Sequence, residues 1–159
     1  MIKDSGARRE FDTGAVRDVS DDKGRCDLLP LMIVADLMED DILAHVAEYM
    51  ESGNSLAILR ALKAFCVNAF GGCMTNMLLE VSIHYSEGSK KYAERNWEKG
   101  IPLHCYVDSG VRHYLKWKRG DEDERHDRAF VWNMLGLLWT DENIPDMNDL
   151  PWSKDKGGS

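Results

Sequence analysis

Glu80, His84 and Glu87 recur at i, i+4 and i+7. On an α-helix, at about 100° per residue, they fall within about 60° of one another and form one stripe. Met77 and Val81 border it on one side, Leu79 and Ile83 on the other. Ionised carboxylates on an apolar face need compensation, because desolvating each costs several kcal/mol. A hard divalent cation is one compensator, and Mg²⁺ is typically held by a few carboxylates with waters and substrate phosphates. An arginine partner is another, and for the stripe alone the two readings weigh equally.

A second run tips the balance toward a metal. His104, Asp108 and Arg112 follow at i, i+4 and i+8 and share a face with Val111 and Leu115. Across two packed helices Glu80, Glu87 and Asp108 can converge on one or two ions. Arg112 either neutralises Asp108 or meets a phosphate. His113 points about 140° away from this stripe. His126 and Asn133 lie on an apolar face with Phe130 and Leu137 and read as satisfied core polar groups. Immediately after the acidic stripe, Lys90, Lys91, Tyr92, Arg95, Asn96 and Trp97 combine cations that can meet phosphate with rings that can stack on a base.

Helices must position these residues. From Pro30, Leu31, Val34, Ala35, Met38, Ile42, Val46 and Tyr49 recur at helical spacing and predict one helix of about five turns. Glu51-Ser52-Gly53-Asn54 breaks it, and Ser55 caps a second helix that ends at Gly71-Gly72. A third spans about 75–87 and stops at Gly88. Pro102 opens a fourth that closes at Gly120, and acids at 121–124 lead a fifth through Trp139. Residues 1–29 read as an extended arm and 145–159 as a flexible tail. No β alternation appears, so the class is all-α: a bundle of about five helices in a single domain.

Composition limits the partners. A chain of 159 residues with net charge −8 and pI near 5.1 lacks the Lys/Arg field a nucleic-acid polymer requires, while a small phosphorylated ligand needs only local cations or a metal. The longest apolar runs, such as Met134 to Trp139, are too short to cross a bilayer. Cys26, Cys66, Cys73 and Cys105 show no C-x-x-C spacing and read as reduced thiols of a cytoplasmic protein. No Walker loop, G-x-S-x-G or H-E-x-x-H occurs. The His126-Asp127 pair keeps an HD-type phosphohydrolase as an alternative.

Longer strings carry a family resemblance. F-D-T-G-A-V-R-D at 11–18, K-G-R-C-D-L-L-P at 23–30, E-G-S-K-K-Y-A-E-R-N-W-E-K-G-I-P at 87–102, D-S-G-V-R-H at 108–113 and W-N-M-L-G-L-L-W at 132–139 follow in order. Together they resemble the phage-type, MazZ-like dATP/dGTP diphosphohydrolases of the MazG-like all-α nucleotide pyrophosphohydrolase superfamily. The resemblance implies hydrolysis of a deoxypurine nucleoside triphosphate, dGTP first and dATP second, to monophosphate and pyrophosphate. It implies Mg²⁺ or Mn²⁺ held by Glu80, His84, Glu87 and Asp108, with Glu80, Glu87 and Asp108 catalytic. Lys90, Lys91, Arg95 and Arg112 would meet the phosphates. Tyr92, Asn96, Trp97 and the arm residues Arg17, Lys23 and Arg25 would complete the substrate site.

Such enzymes are homodimers or homotetramers, and MazZ-like members supply dGMP for phage 2-aminoadenine nucleotide synthesis in the host cytoplasm. The chain departs from the E-E-x-x-E and E-x-x-D pattern of MazG-like proteins: His84 stands where an acid is expected, and Arg112 follows Asp108. Residues 31–75 have no counterpart in shorter members and read as a helical insertion for assembly. The rival readings are an HD-type dNTP triphosphohydrolase and a non-catalytic helical assembly protein.

Overall fold

The apolar period that begins at Leu31 resolves into two helices. In the computed structural model of the chain, which describes residues 7–19 and 22–152, α1 spans Leu31–Met38 and α2 spans Asp41–Ser52. Between them Glu39 adopts a left-handed conformation, with φ 51°. Asp40 then caps α2 by accepting from the Leu43 N–H at 2.9 Å. The buried Asp40 carboxylate also accepts from the Tyr114 hydroxyl at 2.5 Å. Apolar spacing hides this break because the one-residue excursion keeps Ala35, Ile42 and Val46 all in the core.

The next three helices begin or end close to expectation. α3, Ser55–Phe70, is capped by Asn54 rather than Ser55, its side chain accepting from the Leu56 N–H at 3.1 Å. α4 spans Met74–Lys91 and runs through Gly88. A lone glycine costs an α-helix only about 1 kcal/mol, which the surrounding helix formers offset. α5, Leu103–Arg119, stops where Gly120 turns left-handed, with φ 88°. α6 follows over His126–Asn143.

Two glycines let α5 and α6 approach closely. A Cβ at Gly110 would come within 2.5 Å of Met134 Cε, and Gly136 lies against the Tyr106 ring. Phe65 carries α3 onto the same pair. Its ring meets Trp117 and Phe130 edge-on, with centroids 4.9 and 4.7 Å away. Full burial of such a ring contributes about 1.5–3 kcal/mol.

The arm supplies the only strands among the described residues. β1, Arg8–Glu10, pairs antiparallel with β2, Val16–Asp18, setting Arg8 opposite Asp18 and Arg9 opposite Arg17. A two-stranded ribbon of this length is not independently stable, and it is held to the bundle by side chains from the segment after α4. The class is all-α, with the hairpin as an accessory. At the other end the tail is packed as far as Trp152: Leu150 is buried and Trp152 lies edge-on to Tyr49 at 6.4 Å. Residues 153–159 of the tail expected to be flexible lie outside the described residues.

The apolar residues of α4 divide between two faces. Met77 and Val81 are buried, whereas Leu79 is 69% exposed and Leu78 and Ile83 are also exposed. On α3, Leu56, Leu59 and Val67 are exposed as well. Among the described residues no single helix is long and apolar enough to cross a membrane.

Candidate active site

The hairpin, the C-terminal half of α4 with the segment after it, and α5 and α6 enclose a cavity of about 340 Å³. Small-molecule sites typically measure about 300–1,000 Å³. Arg9, Arg17, Lys23, Lys91, Arg95, Arg112 and Lys116 line it, against the carboxylates of Asp18, Asp108 and Glu124. A chain of net charge −8 has therefore concentrated cations at one place, which favours a polyanionic ligand.

The hairpin register puts Arg9 and Arg17 directly across from one another. Like charges in that position destabilise a ribbon by a few tenths of a kcal/mol to about 1 kcal/mol unless an anion meets them. Arg17 Nη2 donates to Ser109 Oγ at 3.1 Å and Asn133 Oδ1 at 3.3 Å. Its guanidinium carbon lies 5.6 Å from the Tyr106 ring centroid and 5.5 Å from that of Trp132. Arg9 Nη2 reaches Cys105 Sγ at 3.0 Å. Arg9 Nε, Arg17 Nη1 and Arg112 Nε are buried without a hydrogen-bond partner. Each unpaired donor costs about 1–3 kcal/mol, a cost that phosphate oxygens would relieve.

The last residue of α4 and the segment after it fasten the hairpin over this cavity. Lys91 Nζ bonds Asp18 Oδ2 at 2.7 Å and the Tyr92 hydroxyl donates to Asp18 Oδ1 at 3.1 Å. Buried Asn96 pairs with the backbone of Val16. Trp97 packs edge-on against Trp139, 4.9 Å between centroids. Arg95 adopts a left-handed conformation and bonds Glu98 at 2.6 Å. Lys23 lines the cavity, where burial holds its ammonium below the usual lysine range. Two of the expected substrate contacts are not among the lining residues. Lys90 is exposed on α4, and Arg25 turns to Asp27, donating at 2.8 and 2.7 Å.

Arginines meet two of the expected metal carboxylates. Asp108 Oδ1 accepts from Arg112 Nη2 at 2.5 Å and from the Cys26 N–H at 2.7 Å. Glu80 faces α6, where Arg128 donates at 2.5 and 2.9 Å and Arg125 at 3.3 Å. Those hydrogen bonds hold the Glu80 carboxyl below the usual range. His84 lines the cavity 5.9 Å from the Trp132 ring. Burial lowers its pKa to about 4, against the field of nearby Glu87, so it is neutral at pH 7. Among the described residues Glu80, Glu87 and Asp108 do not form a group of ligand atoms within 4.8 Å of one another. Apolar neighbours two or three residues away along a helix identify a face, but not which opposing helix supplies the counter-ion.

Another grouping does converge. The ligand atoms of His113, Glu124 and His126 lie within 4.8 Å of one another, and His113 and Glu124 line the cavity. The two Nδ1 atoms face each other at 2.9 Å, while His126 Nε2 bonds Asp123 at 2.7 Å. Burial, then the neighbouring His126, holds His113 well below the usual imidazole range. Asp127 turns to Arg125, at 3.0 and 2.9 Å, so the adjacent His126-Asp127 pair does not act as a unit. The visible cue to this grouping is that His113 closes the D-S-G-V-R-H string and Glu124 belongs to the acidic run before α6.

A family model described as dATP/dGTP diphosphohydrolase, N-terminal, matches residues 63–150. No curated protein and no solved structure matches the chain. The matched span contains α4, the segment that fastens the hairpin, α5 and α6, and it covers more than half of the chain. By that match the protein belongs to the dATP/dGTP diphosphohydrolase N-terminal family.

Proposed function

We propose that this protein hydrolyses a deoxypurine nucleoside triphosphate, dGTP first and dATP second, to the monophosphate and pyrophosphate. The observation that carries the reading is the cavity lined by the cross-strand pair Arg9 and Arg17 together with Lys23, Arg112 and Lys116. Water adds to the α-phosphorus, the bond from that phosphorus to the α,β-bridging oxygen breaks, and pyrophosphate departs while the water proton is released. Arg9, Arg17, Arg112, Lys23 and Lys116 balance the phosphate charge. Tyr85, Trp97 and Trp132 supply ring surface for the base. A divalent cation, Mg²⁺ or Mn²⁺, belongs to this reading, and when bound it would neutralise phosphate oxygens. In a phage setting the product dGMP would feed 2-aminoadenine nucleotide synthesis in the host cytoplasm.

Self-association as a homodimer or homotetramer belongs to the same reading. It is supported by the exposed apolar residues of α3 and α4, including Val67 and Leu79. Larger exposed apolar patches mark interaction sites.

A panel of dNTPs and NTPs, each with Mg²⁺ or Mn²⁺ and scored by product chromatography, tests the activity. The expected products are dGMP and pyrophosphate. Deoxyguanosine with inorganic triphosphate would instead favour an HD-type reaction, and no turnover of any nucleotide would overturn the reading.

A further inference from the structure

We infer that His113, Glu124 and His126 form a nitrogen-containing site for a first-row transition ion, Mn²⁺ in preference to Mg²⁺, on the wall of the phosphate cavity. This rests on the proposed nucleotide hydrolysis only in its choice of Mn²⁺.

The hydrogen-bond chemistry leads to it. The Asp123 carboxylate can only accept, so its 2.7 Å contact with His126 Nε2 selects the tautomer with the hydrogen on Nε2. Its Nδ1 therefore presents a lone pair to His113 Nδ1, 2.9 Å away. Two ligands at right angles on a first-row ion, with metal–nitrogen bonds of about 2.1 Å, stand about 3.0 Å apart. The two nitrogens share one hydrogen bond at 2.9 Å, a spacing that two adjacent ligands on one ion would also have once that hydrogen is displaced. A carboxylate hydrogen-bonded to the far nitrogen of a ligating histidine is the usual support for such a ligand, fixing its tautomer and raising its basicity. Asp123 stands in that place.

Glu124 brings an oxygen ligand within 4.8 Å of both rings. Glu124 and His113 line the same cavity as Lys23 and Lys116, so an ion held there would stand beside a bound phosphate. Mg²⁺ dehydrates reluctantly and keeps oxygen ligands and its own waters, whereas Mn²⁺, the first ion of the transition series of nitrogen and oxygen sites, accepts imidazole beside a carboxylate. Asp121 and Asp123 form a second grouping with His126. Asp121 is engaged by Arg119, which donates to it at 2.7 Å.

The test uses the full chain, stripped of metal and titrated with MnCl₂ alone, without nucleotide. Pulsed electron paramagnetic resonance on the bound Mn²⁺ is expected to show directly coordinated ¹⁴N from two imidazoles, at one ion per chain. Glu124→Gln, in the segment before α6, is expected to weaken Mn²⁺ binding at least tenfold with an unchanged melting temperature. His126→Gln should abolish the nitrogen signal. Because that buried variant can fail to fold, the wild-type nitrogen signal and Glu124→Gln carry the test. A Mn²⁺ spectrum without nitrogen coupling, or unchanged affinity in Glu124→Gln, overturns the site. Nitrogen coupling without pyrophosphate release from any nucleotide leaves the site standing and removes the proposed activity. Pyrophosphate release without nitrogen coupling does the reverse.

Discussion

Asn96 clasps Val16 at two points: its Nδ2 donates to the Val16 carbonyl and its Oδ1 accepts the Val16 N–H, each at 2.8 Å. The side-chain amide thus replaces the strand that β2 lacks on that edge, and it does so from a buried position. Asn96→Ala leaves both Val16 groups unpaired, at a cost of about 1–3 kcal/mol for each buried group. The expected result is about 2 kcal/mol of lost stability in urea titration and a KM for dGTP raised about tenfold, with kcat less affected. Asn96→Asp keeps the acceptor and loses the donor, and it should lie at or below Asn96→Ala. Unchanged KM in both variants would disconnect the hairpin from substrate binding.

Arg17 is the most constrained cation of the cavity, set between Ser109, Asn133, Tyr106 and Trp132. Lysine keeps its charge but not the planar fork that bonds two partners and lies over the rings. Arg17→Lys is therefore expected to lower kcat/KM about a hundredfold while far-UV circular dichroism stays unchanged. Activity within about threefold of wild type would mean that only charge matters at this position.

These two residues also mark what the sequence could and could not disclose. Helical spacing is a local property, so α3, α4 and α5 and the all-α class are legible in Leu, Val and aromatic positions alone. The break at Glu39-Asp40 is not legible in the apolar period, which runs on across it, although Asp40 caps α2 and accepts a long-range bond from Tyr114. The basic segment 90–97 is legible as composition, yet Lys91, Tyr92 and Asn96 turn mainly to the hairpin, which no period announces. Paired carboxylates suggest a metal, but whether Arg128 or an ion meets Glu80 depends on how α6 is rotated against α4. The His113–His126 contact spans two helices, so neither helical stripe contains both rings.

Asp108 and Glu80 make a contrasting pair for mutagenesis. Asp108 is buried with Arg112, and Asp108→Asn strands a buried guanidinium, which typically costs about 3–5 kcal/mol. Glu80 is partly exposed beside Arg128 and Arg125. There Glu80→Gln should cost no more than about 1 kcal/mol, since solvent screens the pair. Thermal unfolding measures both. A loss of turnover in Glu80→Gln at unchanged stability would instead make Glu80 part of the reaction.

Leu79 and Val67 test the assembly. Glutamate at both positions places charge on the exposed apolar surface of α3 and α4 without entering the core. Light scattering coupled to size-exclusion chromatography should read a homodimer or homotetramer for the wild type and a monomer for the double variant, with each helix retained. A monomeric wild type at tens of micromolar would remove the proposed self-association.

His104 and Asp149 tie the packed tail to the first turn of α5. The Asp149 carboxylate bonds both the His104 ring and the His104 N–H, the latter at 3.0 Å. Hydrogen bonding to Asp149, with a smaller contribution from Cys105, raises the His104 pKa from 6.5 to about 10. On Asp149, burial acts in the opposite direction, but the His104 bonds outweigh it and hold the carboxyl below its ordinary 3.8. A raised histidine pKa stabilises the fold fully below pH 6.5, and the contribution fades as pH climbs toward 10. A depressed carboxyl contributes above pH 3.8 and is lost as pH falls below that value. The pair therefore contributes most between about pH 4 and 6.5. His104→Gln should lower unfolding free energy by about 1 kcal/mol at pH 5.5, a modest value because both side chains are partly solvated. The difference between wild type and variant should shrink steadily toward pH 10. A difference that stays constant across this range would show that His104 stabilises the tail by packing alone.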